Sequence, residues 1–358
     1  MKRTFLSALL TMAAVAALLL ALLAGGCSRS DERLPNIVIV VLDTVRDDVT
    51  DLNGDPLNGP MPTLGSLAGE GTTFTNAWAT APWTLPSHAS LLTGHLSSTH
   101  LCTGHSPVLG AEHKTLGERL ASSGYETAAF FSNPWLTDEL SGVMRGFRTS
   151  YVESRGDDRI HAMRGSQGGL ATNANIERWL DERDGSRPFL LFVNYLEAHL
   201  PYDPSSAVRE RSLPDLPPDD VVTTRWAYEF NAGLHAPENV EWSRVRRLYM
   251  GDAATSDNLL KDLIEMLRSR GLHDDAVIIV TSDHGENLGD YGLMDHQFGV
   301  HETLIAVPLV VRAPGRLEAG MRNDPVMLTD LYPTVLELAG VELPGDRPHA
   351  RSLLGAPA

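Results

Sequence analysis

The chain has 358 residues, of which 42% are hydrophobic and 21% charged, a balance that can bury a large core and contains no low-complexity tract. Its net charge of -17 excludes a general nucleic-acid surface, because a phosphate backbone would be repelled over most of the molecule. A small anionic substrate would be repelled too, so it requires a metal ion or a local cluster of positive groups at its site.

At the N-terminus, Lys2 and Arg3 precede an apolar run from Phe5 to Ala24 that ends in Gly25, Gly26 and Cys27. This is a targeting segment over residues 1–26, and LLAGGC resembles a bacterial lipoprotein signal in which Cys27 becomes the lipidated first residue of the mature chain. An uncleaved helix is the alternative, since about 20 apolar residues also span a bilayer. Either way the expectation is an exported, membrane-anchored protein facing the periplasm or exterior of a bacterial cell, with residues 27–35 as a polar tether. Cys102 is the remaining cysteine, so no internal disulfide forms and its expected role is that of a small buried hydrophobe.

The folded domain is expected over residues 36–358. NIVIVVLD (36–43) is a continuous apolar run closed by a carboxylate, as in a strand covered on both faces. Similar runs recur at ETAAFF (126–131), RPFLLFVNY (187–195), DAVIIVTSD (275–283) and VPLVVRAP (307–314). Amphipathic stretches at 115–124, 173–183 and 248–271 separate them, the last capped by Gly271. Such alternation predicts an α/β fold with a doubly wound, mostly parallel sheet flanked by helices and a site at the carboxyl ends of its strands. The Pro-rich segment between Tyr202 and Glu238 is expected to be a surface loop beside that site.

Asp43, Asp283 and His284 close two of the buried runs, so one sheet edge gathers two carboxylates and an imidazole. Each alone can be a cap or a satisfied core residue. With the hydroxyl of Thr84, in APWTLPSHASLLTG (81–94), they make a donor set for one divalent cation (Ca, Mg, Mn or Zn), which would offset the acidic field and activate the hydroxyl. Thr84 also stands where a helix begins, so it reads both as cap and as nucleophile.

The motifs IVIVVLDTVRDD (37–48), PWTLPSHASLLTG (82–94), NYLEAHLPYDP (194–204), VTSDHGENLGDYGL (280–293) and HETLIAVPLVVRAPG (301–315) resemble, in order, those of the sulfatase branch of the alkaline phosphatase superfamily. The resemblance implies an alkaline phosphatase-like fold and a metal-dependent hydrolase of sulfate or phosphate esters, with Asp43, Asp283 and His284 as ligands and position 84 as nucleophile. Sulfatases proper carry a Cys or Ser converted to formylglycine, then Pro two and Arg four residues on; here Thr84, Pro86 and His88 occupy those places. Thr cannot give formylglycine, which favours phosphate mono- or diesters, and Thr-Leu-Pro-Ser-His also resembles threonine-dependent nucleotide pyrophosphatase/phosphodiesterase relatives.

Other departures fall in the pocket. By the resemblance, His88, His105 and His296 bind substrate, and His199 serves the leaving group as general acid, while Thr44 replaces a second Asp. Imidazoles in place of fixed cations predict a pocket charge that titrates at roughly pH 6 to 7. Glu197, His296 and His301 are candidates for a second metal. Arg46 with Asp48 reads as a structural pair, and Asn133 as a turn residue before Pro134. The substrate expected is a small-molecule, glycan or lipid ester. The alternative functions are a phosphotransferase acting on a lipid headgroup and an inactive binding lipoprotein.

Overall fold

Twelve strands and ten helices of one turn or more organise the described residues of the computed structural model, which are 34–355 apart from 53, 55–58, 153–167 and 346–348. The signal segment and Cys27 lie outside them. Residues 35–358 make one compact unit. No helix among the described residues is long and apolar enough to cross a membrane.

The strands are β1 (Ile37–Leu42), β2 (Thr72–Phe74), β3 (Ala77–Trp78), β4 (Glu126–Phe131), β5 (Arg148–Tyr151), β6 (Phe189–Tyr195), β7 (Val277–Thr281), β8 (Asn287–Leu288), β9 (Met294–Asp295), β10 (Leu309–Arg312), β11 (Gly320–Arg322) and β12 (Val326–Met327). Eight form the main sheet in the order β11-β2-β10-β7-β1-β6-β4-β5. Its pairings are parallel except those of β10, which runs antiparallel to both β7 and β2. The α/β, mostly parallel architecture is therefore the one expected.

The strand β1 sits near the middle, with Ile37 opposite Leu190 on one side and Val277 on the other. All six of its residues are buried because both faces are covered. Val38, Val40 and Leu42 pack into one core with the helices α1 (Pro62–Glu70), α2 (Gly169–Glu182) and α3 (Trp242–Ser269) on that face. Ile37, Ile39 and Val41 pack into the other, with the helices Thr84–Thr93, Leu116–Ser122 and Leu331–Leu338. A period of two in one apolar run thus serves two cores.

Three details differ from the sequence expectation. The segment 202–238 is not only loop: it carries helices Ser206–Ser212 and Thr224–Asn231, and Tyr202 bridges Val222. The long helix starts at Trp242, because Val245, Leu248 and Tyr249 already bury one face. The short strands β2, β5 and β11 were not expected; β5 contains Arg148 and Ser150, and β11 begins at Gly320, so neither presents an apolar run.

Candidate active site

Four neighbouring parallel strands, β7, β1, β6 and β4, deliver their carboxyl ends to one edge, and each ends in a polar residue. Asp43 follows β1, Asn133 lies two residues past β4, Asn194 is the penultimate residue of β6, and Asp283 and His284 follow β7. Asp43, Asn133, Asn194, Asp283 and His284 are all buried. Burial of so many polar groups is costly unless each finds a partner.

Some partners are present. Asp43 Oδ2 accepts from Asn133 Nδ2 at 2.9 Å and from Asn194 Nδ2 at 3.1 Å. Asp283 Oδ1 accepts from the backbone N–H of Thr44 at 3.2 Å and of His284 at 3.0 Å. Thr44 holds φ at 60°, a left-handed turn that aims its N–H across to Asp283. The α3 residue Tyr249 fixes this turn, its hydroxyl donating to Thr44 O at 2.7 Å and accepting from Arg46 N at 2.9 Å.

Others are missing. Asp43 Oδ1, Asp283 Oδ2 and His284 Nε2 are buried without a hydrogen-bond partner. Ligand atoms of these same three residues lie within 4.8 Å of one another. Two carboxylate oxygens and one imidazole nitrogen, deprived of water and turned on one another, fit a divalent cation. His284 Nδ1 lies 2.9 Å from Gly285 O, so it carries the proton and leaves Nε2 as the lone-pair donor. Without a cation the two aspartates repel: burial, then the charge of Asp43, holds the Asp283 carboxyl well above the usual range. Burial also works to raise Asp43, but the rings of His199, His284 and His88 and the Asn133 bond outweigh it and hold it low.

Thr84 stands beside this set. It is the first residue of the helix Thr84–Thr93 and is itself buried. The N-cap is Trp83, extended at φ -167°, and no side chain caps the helix, so the expected capping role of Thr84 is corrected. Its Oγ1 is instead committed to the site, accepting from Asn133 Nδ2 at 3.2 Å. One amide therefore links the hydroxyl to Asp43. Ser87 Oγ donates to Asp283 O at 2.6 Å and pins the helix to the end of β7, while Gly94, at φ 70°, ends the helix where a side chain would be strained.

The five candidate histidines separate sharply. His88 lies fully buried under the helix start, with Nδ1 2.9 Å from Thr84 O and 3.5 Å from Asp283 Oδ2. Burial lowers its pKa, and burial together with the His296 charge takes His284 down to about 3. His296 goes the other way: burial opposes its charge, but Glu286 and Asp295 overcome this and raise it well above the ordinary value. Its Nδ1 is 2.8 Å from Asp295 Oδ1 and 3.3 Å from Glu286 Oε1. Of the rings expected to titrate near pH 6 to 7, His88 is therefore shifted down and His296 up, so the two depart from that range in opposite directions. His199, half-buried, has its ring 5.1 Å from that of His296 and Nδ1 2.7 Å from Leu200 O. His105 is exposed on the turn Thr103–Ser106.

The residues suggested for a second metal are not brought together as expected. Glu197 Oε1 accepts from Gly169 N at 2.8 Å, and His301 stacks on Tyr291 with centroids 3.8 Å apart. His296 instead groups with Glu286 and Asp295. Arg46 pairs with Asp48, as expected, and also donates to Asp290 at 2.7 Å and Glu286 O at 3.1 Å. Sequence reasoning missed Asn133 and Asn194 as site residues. Their signal was the one that marked Asp43, namely a polar residue at or just beyond the carboxyl end of a buried parallel strand.

Comparison with known proteins follows this geometry. A family model described as Sulfatase matches residues 35–341. An arylsulfatase of Clostridium perfringens is 24% identical over 368 residues, covering 87% of this chain and 76% of that protein. An ulvan-active sulfatase of Formosa agariphila is 25% identical over 335 residues, covering 87% of this chain and 62% of that protein. The chain thus spans less than two thirds of the latter. The crystal structure of a phosphonate monoester hydrolase from Agrobacterium radiobacter superposes with a TM-score of 0.71 at 22% identity, covering 89% of this chain and 76% of that one, which shows the shared fold.

Proposed function

The chain belongs to the sulfatase family, and from that premise we propose that it is a metal-dependent ester hydrolase that uses the Thr84 hydroxyl as nucleophile on phosphate mono- or diesters. The observation that carries this reading is the bond from Asn133 Nδ2 to Thr84 Oγ1, made by the same nitrogen that holds Asp43. That shared amide supports a hydroxyl nucleophile close to Asp43, whose other oxygen, with Asp283 Oδ2 and His284 Nε2, has no hydrogen-bond partner.

A divalent cation held by those three residues supplies positive charge that neutralises substrate oxygens and favours ionisation of a neighbouring hydroxyl. The chain's own groups do the rest. The amide of Asn133 and the N-terminus of the helix Thr84–Thr93 stabilise negative charge on Thr84 Oγ as it forms. Oγ, its proton released to solvent, attacks phosphorus, the P–O bond to Thr84 forms, and the bond to the leaving oxygen breaks with its electron pair. His199, whose Nδ1–H is engaged by Leu200 O, offers a proton to that oxygen from Nε2 as the doubly protonated ring and is left neutral, with a lone pair on Nε2. Water then attacks phosphorus, giving a proton to the now neutral His199 ring, and the P–O bond to Thr84 breaks, Oγ regaining a proton from solvent. His296, held as a cation by Glu286 and Asp295, attracts the anionic group into an otherwise acidic field.

Phosphorus is favoured because a Thr ester has no aldehyde to re-form and must await attack by water at the central atom. Phosphoryl transfer through a hydroxyl runs by that two-step route. Parallel rates of the purified, metal-loaded chain on an aryl phosphate, an aryl phosphodiester and an aryl sulfate test it. Faster phosphate cleavage is expected; sulfate cleavage that dominates, or full turnover by Thr84→Ala, overturns it.

The N-terminal pattern supports a location as well: an exported protein anchored through lipid on Cys27, acting on small-molecule, glycan or lipid esters. Cell fractionation of Cys27→Ala is the check, with loss of the membrane-bound fraction expected.

A further inference from the structure

Two tryptophans flank the Thr84–Asn133 pair. Trp83 immediately precedes Thr84, and Trp135 lies two residues after Asn133, whose Oδ1 accepts from Trp135 N at 3.1 Å. The two indoles meet edge to face, with centroids 5.5 Å apart and planes at 87°. This geometry is favourable for aromatic pairs. Trp135 nonetheless keeps 39% of its surface exposed, which is unusual for so large an apolar side chain packed at a site.

The surrounding rim continues the pattern. A side chain at Gly104 would come within 3.6 Å of the Trp83 ring, so the turn that carries His105 lies against it. Gln297 N donates to Pro82 O at 3.1 Å, which draws the segment bearing the exposed Phe298 to the same place. The charged groups of the site are buried among the strand ends, while Trp135 and Phe298 are exposed.

We propose that Trp83 and Trp135 form an aromatic wall that binds the leaving group of the substrate, and that this leaving group presents a flat apolar ring face, as an aryl or a pyranose ring does. The wall deepens the reading of Thr84 as nucleophile and rests on it. Trp135 is the residue with free area, and Trp83 orients it. Discrimination then lies between ring-bearing esters and small alkyl esters, independent of the charge on the phosphorus group.

The test uses the full-length, metal-loaded chain carrying Thr84→Ala, so that ligands bind without turnover. Calorimetry compares phenylphosphonate with methylphosphonate, and glucose 1-phosphate with glycerol 1-phosphate. The ring-bearing member of at least one pair is expected to bind about tenfold more tightly, the worth of a good aromatic contact. The pair that shows the gap identifies aryl or sugar as its source. Adding Trp135→Ala is expected to erase the gap while leaving methylphosphonate affinity unchanged, and Trp135→Phe to restore most of it. Equal affinities within both pairs, or a gap that survives Trp135→Ala, overturns the wall alone. Failure of every ligand to bind overturns the reading of the anion site beneath it.

Discussion

Asp257 and Asp330 are as removed from solvent as Asp43 and Asp283, yet the two sets do different work. Asp257 gives one oxygen to Thr63 N and the other to Leu64 N, both at 2.9 Å, and so completes the start of α1. Asp330 divides its oxygens between Met327 N and Arg351 N in the same way. In Asp43 and Asp283, by contrast, one oxygen is held by the chain and the other is left without a partner, facing its counterpart. Burial alone therefore does not single out a candidate site; orphaned ligand atoms of three residues gathered within 4.8 Å do.

The contrast can be tested by removing groups from each set. The largest effect is expected at Thr84→Ala, which should lower turnover on the order of 10³-fold or more while the protein stays folded and binds metal. Asp283→Asn should likewise abolish activity, but with loss of the bound cation measured by elemental analysis. Because it relieves repulsion with Asp43, it should leave the metal-free melting temperature equal or higher. Asp257→Ala should do the reverse, costing about 1–3 kcal/mol in denaturant unfolding through two orphaned backbone donors while metal content stays whole. If Asp283→Asn destabilises the metal-free chain as Asp257→Ala does, the distinction between the two sets fails.

Protonation sharpens it further. In the metal-free fold the Asp283 carboxyl is raised by burial and by Asp43, so its contribution to stability is complete below the unfolded value of 3.8 and is lost as pH rises through the folded value. A cation must displace that proton, and its affinity rises with pH. The melting-temperature gain on adding metal to chelator-stripped protein should therefore grow as pH is raised. A gain that is flat with pH, or falls, would contradict the unpaired-donor picture. The smallest effect is expected at Asn133→Ala, with turnover down about 10- to 100-fold and metal content retained, since a donor to developing charge is lost but no ligand is.

Much of this was legible because parallel strands report themselves twice. Their apolar runs reveal position, and their last polar residues reveal which edge is functional; Asp43, Asp283 and His284 were readable for that reason. Asn133 and Asn194 obeyed the same rule but were obscured, the first by Pro134, which makes any preceding Asn look like a turn residue. The split among the histidines was not readable at all. The His296 pKa is pushed up because β8 and β9 pair antiparallel and bring Glu286 toward Asp295 and His296, a contact that spacing does not disclose. The helices within 202–238 were hidden by proline content for the same reason that short β5 was hidden by its polar residues: tertiary contact, not local preference, decides them.

Asn133 is engaged at both ends of its amide, Oδ1 by the Trp135 backbone and Nδ2 by Asp43 and Thr84. A flipped amide would lose the contacts with Asp43 and Trp135 N, so the group has one favoured orientation and serves as a rigid linkage. If the tryptophans contact substrate as proposed, a shift of the Trp135 backbone would reach Thr84 through the Asn133 amide, and a ligand that fits them badly would be penalised in rate as well as in binding.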